Sequence, residues 1–250
     1  APHAPYSVSD ESFSMIGTYA NQLQMNIHTH LHETEAEISE SLQIFNMTPI
    51  QRLDSIGILG PNVTAAHCVH LNNADINILE KNQVNIIHNP SSNMKLGSGV
   101  SNIKALYEKG LNIGLGSDSS ASNNRLDIIT EIRSTLLLHK GKNQDAEFLK
   151  PLDVIKMATI NSAKAMGLDG KIGSIEVGKR ADITVINLMS IECQPCYDPL
   201  STFVYSADKN SVSHVWVDGV IKVKKHLLLN IDEDELLHNT KLWQTKIKKI

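Results

Sequence analysis

In the stretch Asn26-Ile-His-Thr-His-Leu-His-Glu33, histidines stand at positions 28, 30 and 32 and a carboxylate follows at 33. Imidazole and carboxylate groups both bind divalent cations and move protons near neutral pH, so this spacing suits metal-assisted hydrolysis. If a strand ran straight through, its period of two would turn all three imidazoles to one face. A solvated strand edge is the plain alternative. The sharper reading makes His30 a metal ligand at the strand end, with Glu33 just past it as a carboxylate that carries protons.

Three more strings end on groups of the same kind. Ala65-Ala-His67-Cys-Val-His70 places a histidine at the close of the next apolar run, where a core histidine bonded to backbone is the competing reading. The segment His88-Asn-Pro-Ser-Ser-Asn-Met-Lys-Leu-Gly-Ser-Gly99 reads as a polar loop of turn-formers able to offer backbone and amide groups to a ligand. Leu115-Gly-Ser-Asp118-Ser-Ser-Ala-Ser-Asn-Asn124 supplies a carboxylate, which alone could equally cap a helix starting near 125. Other features carry less. Cys193-Gln-Pro-Cys196 has the CxxC spacing but lies in an expected linker, not at a strand-to-helix start. Cys68 reads as a small packed residue, and Lys246, Lys248 and Lys249 as a solvated helix end. Gly97 and Gly99 lack the pattern of a phosphate loop.

The elements that must position these groups alternate. A helix capped by Ser9, with Phe13, Ile16, Ala20 and Leu23 on one face, precedes a strand at 25–31. Helical segments at 35–45 and 48–56, a strand at 63–66, a helix at 73–81 and a strand at 84–87 follow. A helix at 99–109, a strand at 112–115 and a long helix at 126–139 complete the series. Strands separated by single helices form parallel βαβ units. His30, His67, His88 and Asp118 close four successive strands, which fits the mouth of a (β/α)8 barrel better than the single crevice of a doubly wound sheet. Eight units need about 250 residues and these four fill only about 140, so half of a TIM barrel is expected, without its N-terminal half.

Beyond a helix at 151–166, apolar runs at 183–186, 212–217 and 220–223, with Asp218-Gly219 between the last two, read as a small β unit with one hairpin. Linkers are expected at 171–182 and 190–200, and an amphipathic helix with a basic end at 232–250. The domain division is 1–170 for the partial barrel and 171–250 for a composite β-sandwich portion and the helix. With 23 Lys and Arg against 27 Asp and Glu the chain carries a formal charge of −4, which excludes a protein built to coat nucleic acid. Its three cysteines, an odd number, speak against a disulfide-stapled domain. No apolar run of about 18 residues occurs and the start lacks a basic-then-apolar leader, so no membrane span is expected and the expected location is cytoplasmic.

Taken together, HLHET around His30, AAHCVH, HNPSSNMKLGSG and LGSDSSASNN resemble the metal-dependent amidohydrolases, in the branch of 5-methylthioadenosine/S-adenosylhomocysteine deaminases and triazine hydrolases. The similarity runs from Ala1 to about Val223. It implies a TIM barrel with one Zn2+ or Fe2+ per subunit, held by an HxH pair on the family's first strand, a histidine on its fifth and an aspartate on its eighth. Carried over, the metal ligands are His30 and Asp118, and His67 matches the histidine that holds the reacting water or joins the metal. Glu33 matches the proton-transferring glutamate. His3, in APHAPYS, matches a nucleoside-contacting histidine, and substrate contacts are expected from His3, Glu33 and His88. Glu33, His67 and Asp118 form the expected catalytic set.

The first-strand HxH pair has no counterpart, since His28-Thr-His30 sits in the fifth-strand context. A parent polypeptide longer by about 150–180 residues is therefore expected. The implied activity is hydrolytic deamination of an adenine nucleoside to its inosine analogue and ammonia. Guanine, 8-oxoguanine or a chlorinated triazine remain as substrates of the same branch, since Ser119 and Ser120 stand where many deaminases have Gly-Ala. A non-catalytic half barrel that binds a partner is the reading from another class. Metal content separates it from the others, since catalytic sites use at least three protein ligands and a set reduced to His30 and Asp118, with or without His67, is expected to hold a metal weakly. These residues alone are expected to be inactive and to expose unpaired apolar strand edges. The resemblance also implies a homo-oligomer.

Overall fold

The computed structural model describes residues 1–248. Helix α1 (Asp10–Leu23) starts where the Ser9 hydroxyl accepts the Ser12 amide, with Asp10 and Glu11 in the first turn, where the helix dipole favours acids. Then follow β1 (Ile27–Leu31), α2 (Glu35–Phe45), α3 (Pro49–Ser55), β2 (Val63–His67), α4 (Asn73–Lys81) and β3 (Asn85–His88). Next come α5 (Pro90–Leu96), α6 (Ile103–Glu108), β4 (Ile113–Leu115) and α7 (Ile128–Asn143). All four strands are parallel and lie in the order β1-β2-β3-β4, as helical crossovers require. Leu31 pairs with His67 and His88 with Leu115, so the C-terminal ends of the strands lie level at one edge of the sheet.

One face of this sheet packs under its helices. Leu31, Leu79, Ile86, Leu106, Ile113 and Leu136 are buried there in one continuous core, where truncating a side chain to Ala costs about 2–5 kcal/mol. The two outer strands are better covered than unpaired edges would be. The carbonyl of His3 accepts the backbone N–H of His30 on β1 at 3.0 Å. On β4, the Ser162 hydroxyl accepts the Leu115 N–H at 3.1 Å and the Asn161 amide donates to the Ile113 carbonyl at 3.1 Å. Those residues lie at the C-terminal end of a widened helical turn, Met157–Asn161, that divides the expected 151–166 helix into α8 (Pro151–Lys156) and α9 (Ser162–Ala165).

Two further elements differ from expectation. The 88–99 segment is not a loop throughout, because Pro90 at the first helical position and a left-handed Gly97 (φ 71) bracket α5, and the next helix starts only at Ile103. Helix α7 begins at Ile128 because Asp127 accepts the Ile129 and Thr130 amides as its cap.

The C-terminal part is an antiparallel sheet of β5 (Ile183–Ile186), β6 (Val212–Val217), β7 (Val220–Lys224) and β8 (Leu227–Leu228), with α10 (Pro199–Tyr205) between the first two. Asp218 (φ 51) and Gly219 (φ 75) make the hairpin turn between β6 and β7, both in the left-handed region that such turns require. The expected β-sandwich portion is thus one sheet, with no second sheet on it among the described residues. Helix α11 (Glu233–Ile247) buries none of its residues, and Lys249 and Ile250 lie outside the described residues. No described helix is long and apolar enough to cross a membrane. Cys193 is buried in a short turn and Cys196 half-buried, both free, within the expected linker.

Candidate metal centre

At the level strand ends, His30, His67 and Asp118 each offer a ligand atom, and these atoms all lie within 4.8 Å of one another. The three residues line one cavity of about 440 Å³, with His3, His28, Asn89 and Gly116 among its other walls. That volume suits a small-molecule site. Gly116 is a requirement of this floor, since a Cβ there would lie 2.4 Å from Asn89 Oδ1 and 2.8 Å from Ile87 Cγ2. His67 (φ 74) and Asp118 (φ 60) both hold left-handed backbone that non-glycine residues rarely adopt, the kind of local strain that collects at functional sites.

The hydrogen bonds around these side chains prepare them as ligands. The Nδ1–H of His30 donates to the His3 carbonyl at 2.7 Å, and that of His67 donates to Asn93 Oδ1 at 2.8 Å. With Nδ1 so engaged, Nε2 is the nitrogen each ring has free to offer a cation. Asp118 Oδ2 accepts from Ser92 Oγ at 2.6 Å and Ser122 Oγ at 2.7 Å, while Oδ1 accepts the Ser119 N–H at 2.7 Å. Partial burial raises the Asp118 pKa, but these three donors and the nearby His67 outweigh it, so the carboxyl titrates below the usual range. Two imidazoles and one ionised carboxylate form a donor set that fits a divalent zinc or iron ion. Glu33 stands beside them, with Oε2 3.8 Å from His67 Nε2 and Oε1 accepting from Ser98 Oγ at 3.3 Å.

The structure thus brings together His3, His30, Glu33, His67 and Asp118. It does not bring in His88, whose side chain is buried against α7 with Nε2 3.1 Å from His139 Nε2, while Ile87 and Asn89 on either side line the cavity. Strand alternation explains this. His32 also leaves the shared face expected for 28, 30 and 32. The strand stops at Leu31, and His32 (φ 54) turns into the core, donating from Nδ1 to the His70 carbonyl at 2.8 Å and accepting the Ile50 N–H at 3.2 Å on Nε2. Burial lowers its pKa.

Ser92, Asn93, Ser98 and Ser122 hold the site residues and were not singled out from the sequence. Their signal was the density of Ser and Asn in two strings already read as ligand-facing. His3 has a further part, because its carbonyl receives both the backbone N–H and the ring N–H of His30.

A comparison with family models matches residues 1–222 to the amidohydrolase family. A 5-methylthioadenosine/S-adenosylhomocysteine deaminase of Teredinibacter turnerae is 40% identical over 249 residues, covering 98% of this chain and 56% of its own length. A 5'-deoxyadenosine deaminase of Methanopyrus kandleri is 41% identical over 239 residues, covering 96% of this chain and 55% of its own. The crystal structure of an adenosine deaminase from Xanthomonas campestris with bound zinc superposes with a TM-score of 0.97 at 36% identity, over 100% of this chain and 57% of that one. The chain therefore spans just over half the length of these relatives and shares their TIM-barrel-type α/β fold. With a family model matched over most of its residues, the chain belongs to the amidohydrolase family.

Proposed function

We propose that the polypeptide carrying this chain hydrolytically deaminates an adenine nucleoside, with methylthioadenosine and S-adenosylhomocysteine as the first candidates, releasing the inosine analogue and ammonia. The observation that carries the reading is the convergence of His30, His67 and Asp118 within 4.8 Å, with Glu33 against His67. The names of the two relatives and the zinc of the Xanthomonas structure support it. In this reading β1 to β4 are the fifth to eighth strands of a barrel, and the antiparallel sheet is part of a flanking sandwich.

A bound Zn2+ or Fe2+ would be held by His30, Asp118 and His67 and would supply Lewis acidity that brings the pKa of water toward about 7. His67 and Asp118 orient the water, and the Asp118 carboxylate receives its proton. Glu33 delivers a proton to the ring nitrogen, which weakens the aromatic system before attack at the amino-bearing carbon; it then moves the hydroxyl proton of the attacked carbon to the departing ammonia, and the proton held by Asp118 restores Glu33. His3, on the cavity wall, contacts the nucleoside.

The test is the Glu33→Gln variant of the complete polypeptide, assayed for ammonia release from a panel of adenine nucleosides, guanine, 8-oxoguanine and a chlorinated triazine. Turnover of an adenine nucleoside by wild type, and its loss in the variant with bound metal retained, is the expected result. Undiminished ammonia release by the variant overturns the role of Glu33, and turnover confined to a triazine or guanine overturns the substrate class.

A further inference from the structure

Two residues that hold the metal centre are neighbours on one short helix. Ser92 donates to Asp118 and Asn93 accepts from His67, so any shift of α5 moves both partners at once. What fixes α5 lies outside the cavity. Its capping residue, Asn89, makes no side-chain bond to the helix, and the free N–H of Ser91 is accepted instead by Oε2 of Glu131 on α7 at 3.1 Å. Glu131 is only 1% exposed. A carboxylate so deep in the protein needs a partner on each oxygen. The second is Asn123, whose Nδ2 donates to Glu131 Oε1 at 2.8 Å and to the Ser117 carbonyl at 2.7 Å. Ser117 and Asn123 bracket Asp118 within its loop.

We propose that Glu131 is a positioning residue: one buried carboxylate joins α5 to the 117–123 loop and so sets Asp118 and His67 against each other. The inference rests on the reading of His30, His67 and Asp118 as a metal centre. Glu131 is not among the residues that line the cavity, so its effect passes through Ser91 and Asn123.

The experiment compares wild type, Glu131→Gln, Asn123→Ala and a control, Asp75→Asn, in the complete polypeptide. Asp75 is equally buried and accepts from Thr48 Oγ1 at 2.7 Å, away from the cavity. Zinc affinity is read by competition with a chelator, kcat and KM by ammonia release, and Tm by thermal melting. Removing a partner that orients a metal ligand typically weakens metal binding or activity by about 10–100-fold. Glu131→Gln and Asn123→Ala are expected to fall in that range in zinc affinity and kcat, with KM within about twofold. The control is expected to lower Tm while leaving zinc affinity unchanged. Zinc affinity and kcat within twofold of wild type in both variants overturn the proposal, as does an equal loss of zinc affinity in the control. Should Glu131→Gln fail to fold, Asn123→Ala decides. A wild type that binds zinc but releases no ammonia sinks the deaminase reading and leaves the affinity comparison to judge Glu131; one that binds no zinc sinks both.

Discussion

The Ser92 hydroxyl donates to Oδ2 of Asp118 at 2.6 Å, so the first turn of α5 secures the acid that follows the next strand. The relationship links sequence to site directly, because the Pro-Ser-Ser-Asn string that starts the helix also supplies the bonds to Asp118 and His67.

Ser92→Ala removes one of the three donors to Asp118. The carboxylate then loses stabilisation and its pKa rises toward the ordinary value. The acid limb of the pH–rate profile is expected to move upward and zinc affinity to fall by about tenfold. A profile and affinity identical to wild type count against the role given to Ser92.

Gly116→Ala places a Cβ against Asn89 Oδ1 and Ile87. The cavity floor must shift to accept it. A drop of about tenfold or more in kcat/KM is expected, larger than that from Gly141→Ala, where an added Cβ meets nothing.

Glu37 on α2 is buried with both carboxylate oxygens unpartnered, and burial raises its pKa to about 7 from the ordinary 4.5. Between those values the folded state keeps a proton that the unfolded state has released, so stability falls as pH rises through this window. The deficit is fully present above pH 7 and amounts to about 3 kcal/mol. Glu37→Gln is expected to be more stable than wild type at pH 8 and to lose that advantage by pH 4, as read by urea unfolding.

His139, fully buried beside His88, has its pKa lowered to about 4, chiefly by burial and then by the charge of Lys142. Here the unfolded state takes up its proton first. Stability is expected to fall by about 3 kcal/mol as pH drops from 6.5 to 4. His139→Gln should flatten that slope in unfolding titrations, and an unchanged slope would assign the acid sensitivity to other groups.

The strands and the residues at their ends were legible because apolar runs, turn residues and ionisable groups recur in step along residues 1–140. His30, His67, His88 and Asp118 all stood out by their places at successive strand ends, and it was the family resemblance that proposed His30, His67 and Asp118 as the ligand set. His88 could not be placed correctly, because orientation at a strand end depends on which residue is the last to alternate, and Ile87 and Asn89 took the cavity face. His32 went astray for the related reason that its left-handed backbone ends the alternation one residue early. Helix α5 was hidden by its own composition, since Ser, Asn and Pro signal turns until Pro90 and Gly97 are read as a start and a stop. Glu131 carried no local signal at all. Its partners lie 40 and 8 positions away, and only packing of α7 on α5 brings them together.

Metal analysis of the complete polypeptide, purified without added chelator, tests the shared cation most directly. About one zinc or iron per chain is expected in wild type, falling below about a tenth in a His30→Ala, Asp118→Ala double variant that stays folded. Full metal content in the double variant, with ammonia release unchanged, would contradict a centre built from these side chains.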